Sequence, residues 1–410
     1  MFHLLPTGLR RVALAGTAVV ALLALQVASA GAADVAPAGQ YQGPSYAGGP
    51  SSPTGSKPES KLWFTDGSWW SVMNVGATGL RIYRLEPSSQ AWQATGVVVD
   101  LRNTVRSDVL WDGSKLYVAT HVFSESPASG NPSNLYRFSY DAGTDTYSLD
   151  LGFPAQINDW KTETLVIAKD GTGQLWATWT QQSQVMVNRT LLSDAAWGVP
   201  FVLPGGTGLS SDDISSVIAF SGRIGIMWSD QTDDQMRFAT HDDSALDDTA
   251  FGSAEVAVSG SDMADDHINL KADASGRLYA ATKTSVDTSS QPFNLLSFRS
   301  TGGEWTTRVF GTKADNHTRP IVVLNEEKRR LYYFATWDQS GGVIYMKETS
   351  LDDPTFGSGR GTPVIDATDV NNATASKQPV SEATGLVVQA SADSTDLYWH
   401  YWNPLTPATK

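Results

Sequence analysis

The chain has 410 residues and no cysteine, and its 29 Lys and Arg face 43 Asp and Glu, for a formal net charge of −14. Disulfides and thiolate metal sites are thereby excluded, and so acidic a surface repels nucleic acid and anionic lipid. A large apolar core has to hold the fold instead, and 14 Trp, 13 Tyr and 14 Phe are available for it.

Residues 1–30 have the layout of a secretory signal peptide: Arg10-Arg11, an apolar run over 12–27 and the small triplet Ala28-Ser29-Ala30. The run is too short to span a bilayer comfortably. The expected product is a secreted, extracellular protein with no membrane attachment, two units more negative once both arginines are lost. A local basic pocket still leaves room for an acidic substrate. Residues 31–60, rich in Gly, Pro, Ser and Ala, read as a flexible linker or closing arm.

From residue 61 to the end one grammar recurs. The stretch 261–285 shows it best: a polar loop, an alternating run (Ile268, Leu270, Ala272), a turn at Ser275-Gly276 and a second alternating run from Leu278. Second strands begin in SWWSVMN, KLYVATH, QLWATWT, RIGIMWS, RLYAATK, RLYYFAT and GLVVQAS, at a period of about 50 residues, the length of a four-stranded blade. Most are preceded by a glycine turn; at residues 325–330 charge replaces the glycine. The spacing predicts an all-β chain: a single β-propeller of seven four-stranded blades, with six as the alternative. The last unit has only three strands of its own, so a strand near Tyr41 and Tyr46 is expected to close the ring, since an open one would expose two sheet edges.

Three links between third and fourth strands, at 192–198, 246–252 and 351–357, place an Asp ahead of Trp197, Phe251 or Phe356 and a Gly. They resemble degenerate Asp boxes, the hairpin signature of sialidase-like, BNR-repeat propellers. That resemblance implies a structural role, the Asp tightening the hairpin and the aromatic plugging between blades. Asp265-Asp266-His267 ahead of a strand is similar to a segment of the polysaccharide-degrading members, some of them lyases. True sialidases match less well, because Arg81-Ile82-Tyr83 and Arg319-Pro320-Ile321 do not reproduce their Arg-Ile-Pro motif.

In a propeller, the loops before the first strands open at one channel mouth, where ligands sit. They carry Arg106; Lys161 and Glu163; Asp212 and Asp213; Asp265, Asp266, His267 and Asn269; His317 and Arg319; Asn372 and Lys377. Second-strand ends add His121, Trp228, Lys283 and Trp337. The candidate catalytic groups are His267, His317, Arg319, Asp266, Glu163 and Asp213; Arg106, His121, Lys161, Asp212, Asp265, Asn269, Trp228, Trp337, Asn372 and Lys377 are candidate substrate contacts. Each also has a structural reading: a carboxylate bracing a turn, an arginine bracing a neighbouring blade, Lys161 and Glu163 as a solvated pair, tryptophans packed between blades.

Two chemistries suit such a rim. A uronate lyase needs a cation to neutralise the substrate carboxylate (Arg106, Arg319 or Lys161) and a base for the C5 proton (His267 or His317). A glycoside hydrolase needs two flanking carboxyls, from Glu163, Asp213 and Asp266. The lyase is slightly favoured, because His and Arg outnumber Glu there. The alternative outside enzymology is a glycan-binding propeller with Trp228 and Trp337 as stacking platforms. The expected partner is an extracellular polysaccharide and the expected state a monomer. No cofactor is implied, and no D-x-D-x-D-G spacing supports a structural Ca²⁺ loop.

Overall fold

Alternating apolar residues with β-branched and aromatic side chains pair into antiparallel sheets wherever a tight turn returns the chain. In the computed structural model, which describes residues 36–55 and 57–406, this happens along the whole chain, and no α-helix occurs among the described residues, only two 3₁₀ turns. The signal peptide and the first residues of the arm lie outside the described residues.

Five sheets follow chain order: Leu62–Thr65 to Trp92–Asp100, Val105–Trp111 to Ala155–Lys161, Val166–Lys169 to Phe201–Thr207, Ser215–Phe220 to Glu255–Ser259, and Ile268–Ala272 to Trp305–Thr312. Four have four strands; the second has five, because Thr146–Leu149 and Ala155–Lys161 both pair with Ala128–Asp141. The sixth has seven strands, running from His317–Asn325 to Leu397–Asn403 and ending on Gly39–Ser45. Within it Thr362–Thr374 serves two partners: residues 362–370 pair with Gly342–Ser350 and residues 370–374 with Leu386–Ala392.

The turns obey local stereochemistry. Asp66-Gly67 and Ser221-Gly222 both hold positive φ at the two central residues, the twist that suits a two-residue hairpin. Where charge replaces glycine, Arg329 takes the left-handed conformation (φ 52°) and Asn325 Oδ1 braces the turn by accepting the Lys328 amide at 3.0 Å.

First strands of successive sheets lie side by side, so the core sits between neighbouring sheets. Trp176 of the third and Trp228 of the fourth share one cluster, and Phe310 stacks on Tyr333 at 3.9 Å between the fifth and sixth. Phe251 and Phe356 pack edge-on against Trp176 and Tyr333. The acids before them vary. Asp247 Oδ1 accepts the amide of Thr249 in its own link at 2.9 Å, whereas Asp194 reaches back to Tyr117 and Arg137 and Asp352 pairs with Arg329.

The last sheet also meets the first. Gln378 exchanges two hydrogen bonds with the backbone of Phe64, Trp69 Nε1 donates to Thr384 O at 2.7 Å, and the Asn74 amide donates to Tyr398 Oη at 2.9 Å.

Candidate functional site

The turn into Ile268–Ala272 folds back on itself: the His267 amide donates to Asp265 O at 2.8 Å. That places His267 Nδ1 against the Asp265 carboxylate and 2.6 Å from Asp266 Oδ1. Lys283, from the end of the next strand, and Ser285 Oγ also bond Asp265. Burial alone would raise Asp265, but the His267 and Lys283 contacts outweigh it and hold this carboxyl well below its ordinary range. For His267 burial wins, so the ring is neutral and donates its Nδ1 proton. Its Nε2 lies 3.2 Å from Thr318 Oγ1.

Lys57 enters the same place from the loop ahead of Leu62–Thr65. Its Nζ donates to Glu163 Oε1 at 2.7 Å and pairs with Asp266. Burial lowers Lys57 against the pull of Glu163 and Asp212, and burial raises Glu163 against the pull of Lys57. Both shifts favour the uncharged amine and the uncharged acid. Glu163 Oε2 is buried without a hydrogen-bond partner. Oxygens of Glu163, Asp212 and Asp266 lie within 4.8 Å of one another, as do ligand atoms of Asp265, Asp266 and His267. Either group has the donors for a cation, and in the first Lys57 Nζ lies against Glu163 and Asp266.

Two guanidiniums complete the rim. Arg106 lies 3.5 Å over the Phe123 ring; burial brings it down to about 10, with Glu59, Glu163 and Asp393 opposing and Arg319 adding to the shift. Arg319 sits at positive φ (50°), a strained position for a long side chain, and donates to Gln339 O at 3.0 Å. Burial lowers it too, against the attraction of Asp265, Asp393 and Glu163. Around this rim runs residues 46–55. Ser52 bonds both oxygens of Asp393, Thr54 Oγ1 meets Ser391 Oγ at 2.9 Å, and a Cβ on Gly55 would stand 2.9 Å from Ser52 O, with Asn372 Oδ1 and Arg106 Cζ next at 3.3 and 3.4 Å, so the backbone there favours glycine.

Arg106, Glu163, Asp212, Asp265, Asp266, His267 and Arg319 thus converge, with Asn372 at their edge. The other expected residues do not join them. His317 is fully buried between Phe310 and Tyr345, because an irregularity between Thr318 and Ile321 shifts the register of its strand; burial takes it down to about 4. Asp213 braces its loop by accepting from the Ser210 and Gln231 amides and Gln231 Nε2. It is the neighbouring Asp212, exposed, that faces the cluster.

His121 is wholly buried, bonded to Glu59 at 2.7 Å and to Thr162 O. Lys161 ends the strand Ala155–Lys161, and the cation on Glu163 is Lys57 instead. Asn269 Oδ1 accepts the Val322 amide, tying two first strands together. Trp228 is a core residue with no exposure, which removes it as a stacking platform, and Arg360 covers the Trp337 ring at 4.2 Å. Lys377 bonds Asp108 and Ile167 O instead.

Sequence reasoning missed Lys57, with Glu59 and Lys61 behind it. The signal was present: these three are the only charges between Asp34 and Asp66, and they occupy in the first unit the position that holds the rim residues in the others.

No family model matches the chain, and no curated protein matches it in sequence. Its fold does have solved counterparts. An ulvan lyase of polysaccharide lyase family PL25 superposes with a TM-score of 0.53 at 10% identity, over 89% of this chain and 96% of that one. An α-L-arabinofuranosidase from Podospora anserina, solved with cellotriose, gives 0.41 at 10% identity over 74% and 91%. The first likeness, spanning nearly the whole of both chains, establishes an all-β, propeller-like architecture of repeated antiparallel sheets.

Proposed function

We propose that this protein is a secreted enzyme that cleaves an acidic polysaccharide at the charged rim, by β-elimination next to a uronate. The observation that carries this reading is the pair of guanidiniums at the rim, the buried Arg106 and the half-buried Arg319, with Arg319's charge reaching Arg106 and both attracted by Glu163. Two guanidiniums brought to one rim can hold a substrate carboxylate between them through charge-assisted hydrogen bonds.

With the uronate carboxylate held by the arginines, the C5–H is acidified. The Lys57 amine takes the C5 proton, the C4–O bond breaks as the C4–C5 double bond forms, and Glu163 gives its proton to the departing oxygen. The proton then returns from Lys57 to Glu163 across 2.7 Å, so each turnover restores the pair. His267 fixes Asp266 and thereby Lys57; it is a positioning residue.

Glycoside hydrolysis is the second reading, favoured by the proximity of Glu163, Asp212 and Asp266, although retaining enzymes place their carboxyls about 5–5.5 Å apart. Incubation with uronate polysaccharides decides: ultraviolet absorbance of an unsaturated uronate marks elimination, and new reducing ends without it mark hydrolysis. Neither signal on any acidic glycan would sink both.

The architecture belongs to the same proposal. Seven blades form the ring, Thr362–Thr374 crosses from the sixth blade to the seventh, and Gly39–Ser45 supplies the closing strand. The links around Asp194, Asp247 and Asp352 are its remaining Asp-box-like elements, the protein works as a monomer, and residues 1–30 direct its export.

A further inference from the structure

Below the rim the axis holds a second group of cations around a separate cavity. About 190 Å³ in volume, it is lined by Pro58, Leu110, Val217 and Leu270 and by the lysines Lys169, Lys271 and Lys377. Two of these lysines have their own acid: Lys169 with Asp112 at 2.7 Å, and Lys377 with Asp108. Lys271 has none. It is 6% exposed, and its Nζ donates to one neutral acceptor, Ser376 O at 2.6 Å.

We propose that this cavity is a binding site for one small anion, a carboxylate or an inorganic ion, held by the Lys271 ammonium. An ammonium has three N–H donors, and the described contacts use one. Asp108 is not a direct partner of Lys271: its oxygens accept from the Ser60 and Ile167 amides and from Lys377, and it acts on Lys271 only through its more distant charge. Lys61, whose charge also reaches Asp108, is balanced by Glu59. With Lys169 paired to Asp112 and Lys377 to Asp108, the cavity carries a net positive charge on the buried Lys271, in walls of mixed polar and apolar character, where an anion is worth more than in water. The volume is that of roughly six waters, too small for a polymer chain, which separates this site from the glycan rim.

Burial takes Lys271 down to about 7, with Lys377 adding to the shift and Asp108 opposing it. An arriving anion restores its proton, so apparent affinity should weaken by up to tenfold per pH unit above neutrality.

The test is thermal unfolding of the full mature protein at pH 6.5 and constant ionic strength, replacing a bulky sulfonate by chloride, formate or acetate. Wild type should gain about 2–4 °C at a hundredfold excess over the dissociation constant, and Lys271→Met should gain nothing while melting no lower than the anion-free wild type. Gain with formate and acetate alone assigns a carboxylate, and gain with chloride as well assigns an anion chosen by size and charge. Crystals grown in bromide supply a readout independent of the variant's folding: anomalous density beside Lys271 Nζ is expected. An equal gain in Lys271→Met, no gain in wild type with any of these anions, or bromide absent from the cavity of a protein that chloride stabilises overturns the proposal.

Discussion

Lys57 and Glu163 face each other across 2.7 Å in a largely dehydrated setting, where burial lowers the amine and raises the acid against their mutual attraction. Glu163→Gln keeps the shape and can still accept from Lys57, but has no proton to give. Turnover should fall by about 10²–10⁴ with KM nearly unchanged and folding intact; a variant above a tenth of wild-type rate removes Glu163 from the chemistry. The adjacent acids Asp212 and Asp213 make a second contrast. Asp213→Asn disturbs a carboxylate with three partners and should cost about 1–3 kcal/mol of stability with activity per folded molecule preserved, whereas Asp212→Asn should affect rate and leave stability alone. The opposite pattern would restore Asp213 to the site. His317→Phe, in its aromatic slot between Phe310 and Tyr345, should leave activity within about twofold.

At the level of strands and loops, the repeat was plain in the sequence because a period of two and a turn before each second strand are local properties. What a single rim residue does was less plain, since it depends on register, and one residue's slip reverses every side chain. That is why Asp212 and Asp213 exchanged roles, and why the irregularity after Thr318 turned His317 inward while Arg319 stayed at the rim. The first unit's loop escaped for another reason: the Gly, Pro and Ser around Lys57 read as linker, although a strap that passes as close to Arg106 as Gly55 does has to be made of small residues. The strand Gly39–Ser45 bears directly on closure. Deleting residues 36–45 strips Leu397–Asn403 of its outer partner and leaves it paired only with Leu386–Ala392, and it removes the Ala36 carbonyl that accepts from Trp402 Nε1 at 3.0 Å. A lower melting temperature and association through the bared edge are expected; an unchanged, monomeric transition would mean that the ring does not depend on this strand.

The molecule as a whole sets an acidic exterior against an interior that buries neutral histidines between its sheets. His400 is locked as the neutral ring: Trp92 Nε1 donates to its Nδ1 at 3.1 Å, and its Nε2–H donates to Gln90 Oε1 at 3.1 Å. Burial takes it down to about 3, and His317 to about 4. In the unfolded chain both titrate near 6.5. Between those limits the unfolded state binds protons that the folded state refuses, so this contribution is complete above about pH 6.5 and drains away as pH falls toward 4. Each histidine adds a slope of about 1.4 kcal/mol per pH unit in that window. Asp108, Glu163 and Asp213, which burial raises, act in the opposite sense, so the informative quantity is a difference between two proteins. Denaturant unfolding at pH 4.5, 5.5 and 6.5 should show the His317→Phe, His400→Gln double variant with a pH slope about 2–3 kcal/mol per unit shallower than wild type. Parallel slopes would mean that the two rings gain protons inside the folded protein, and that the sheets which enclose them part more easily than their packing implies.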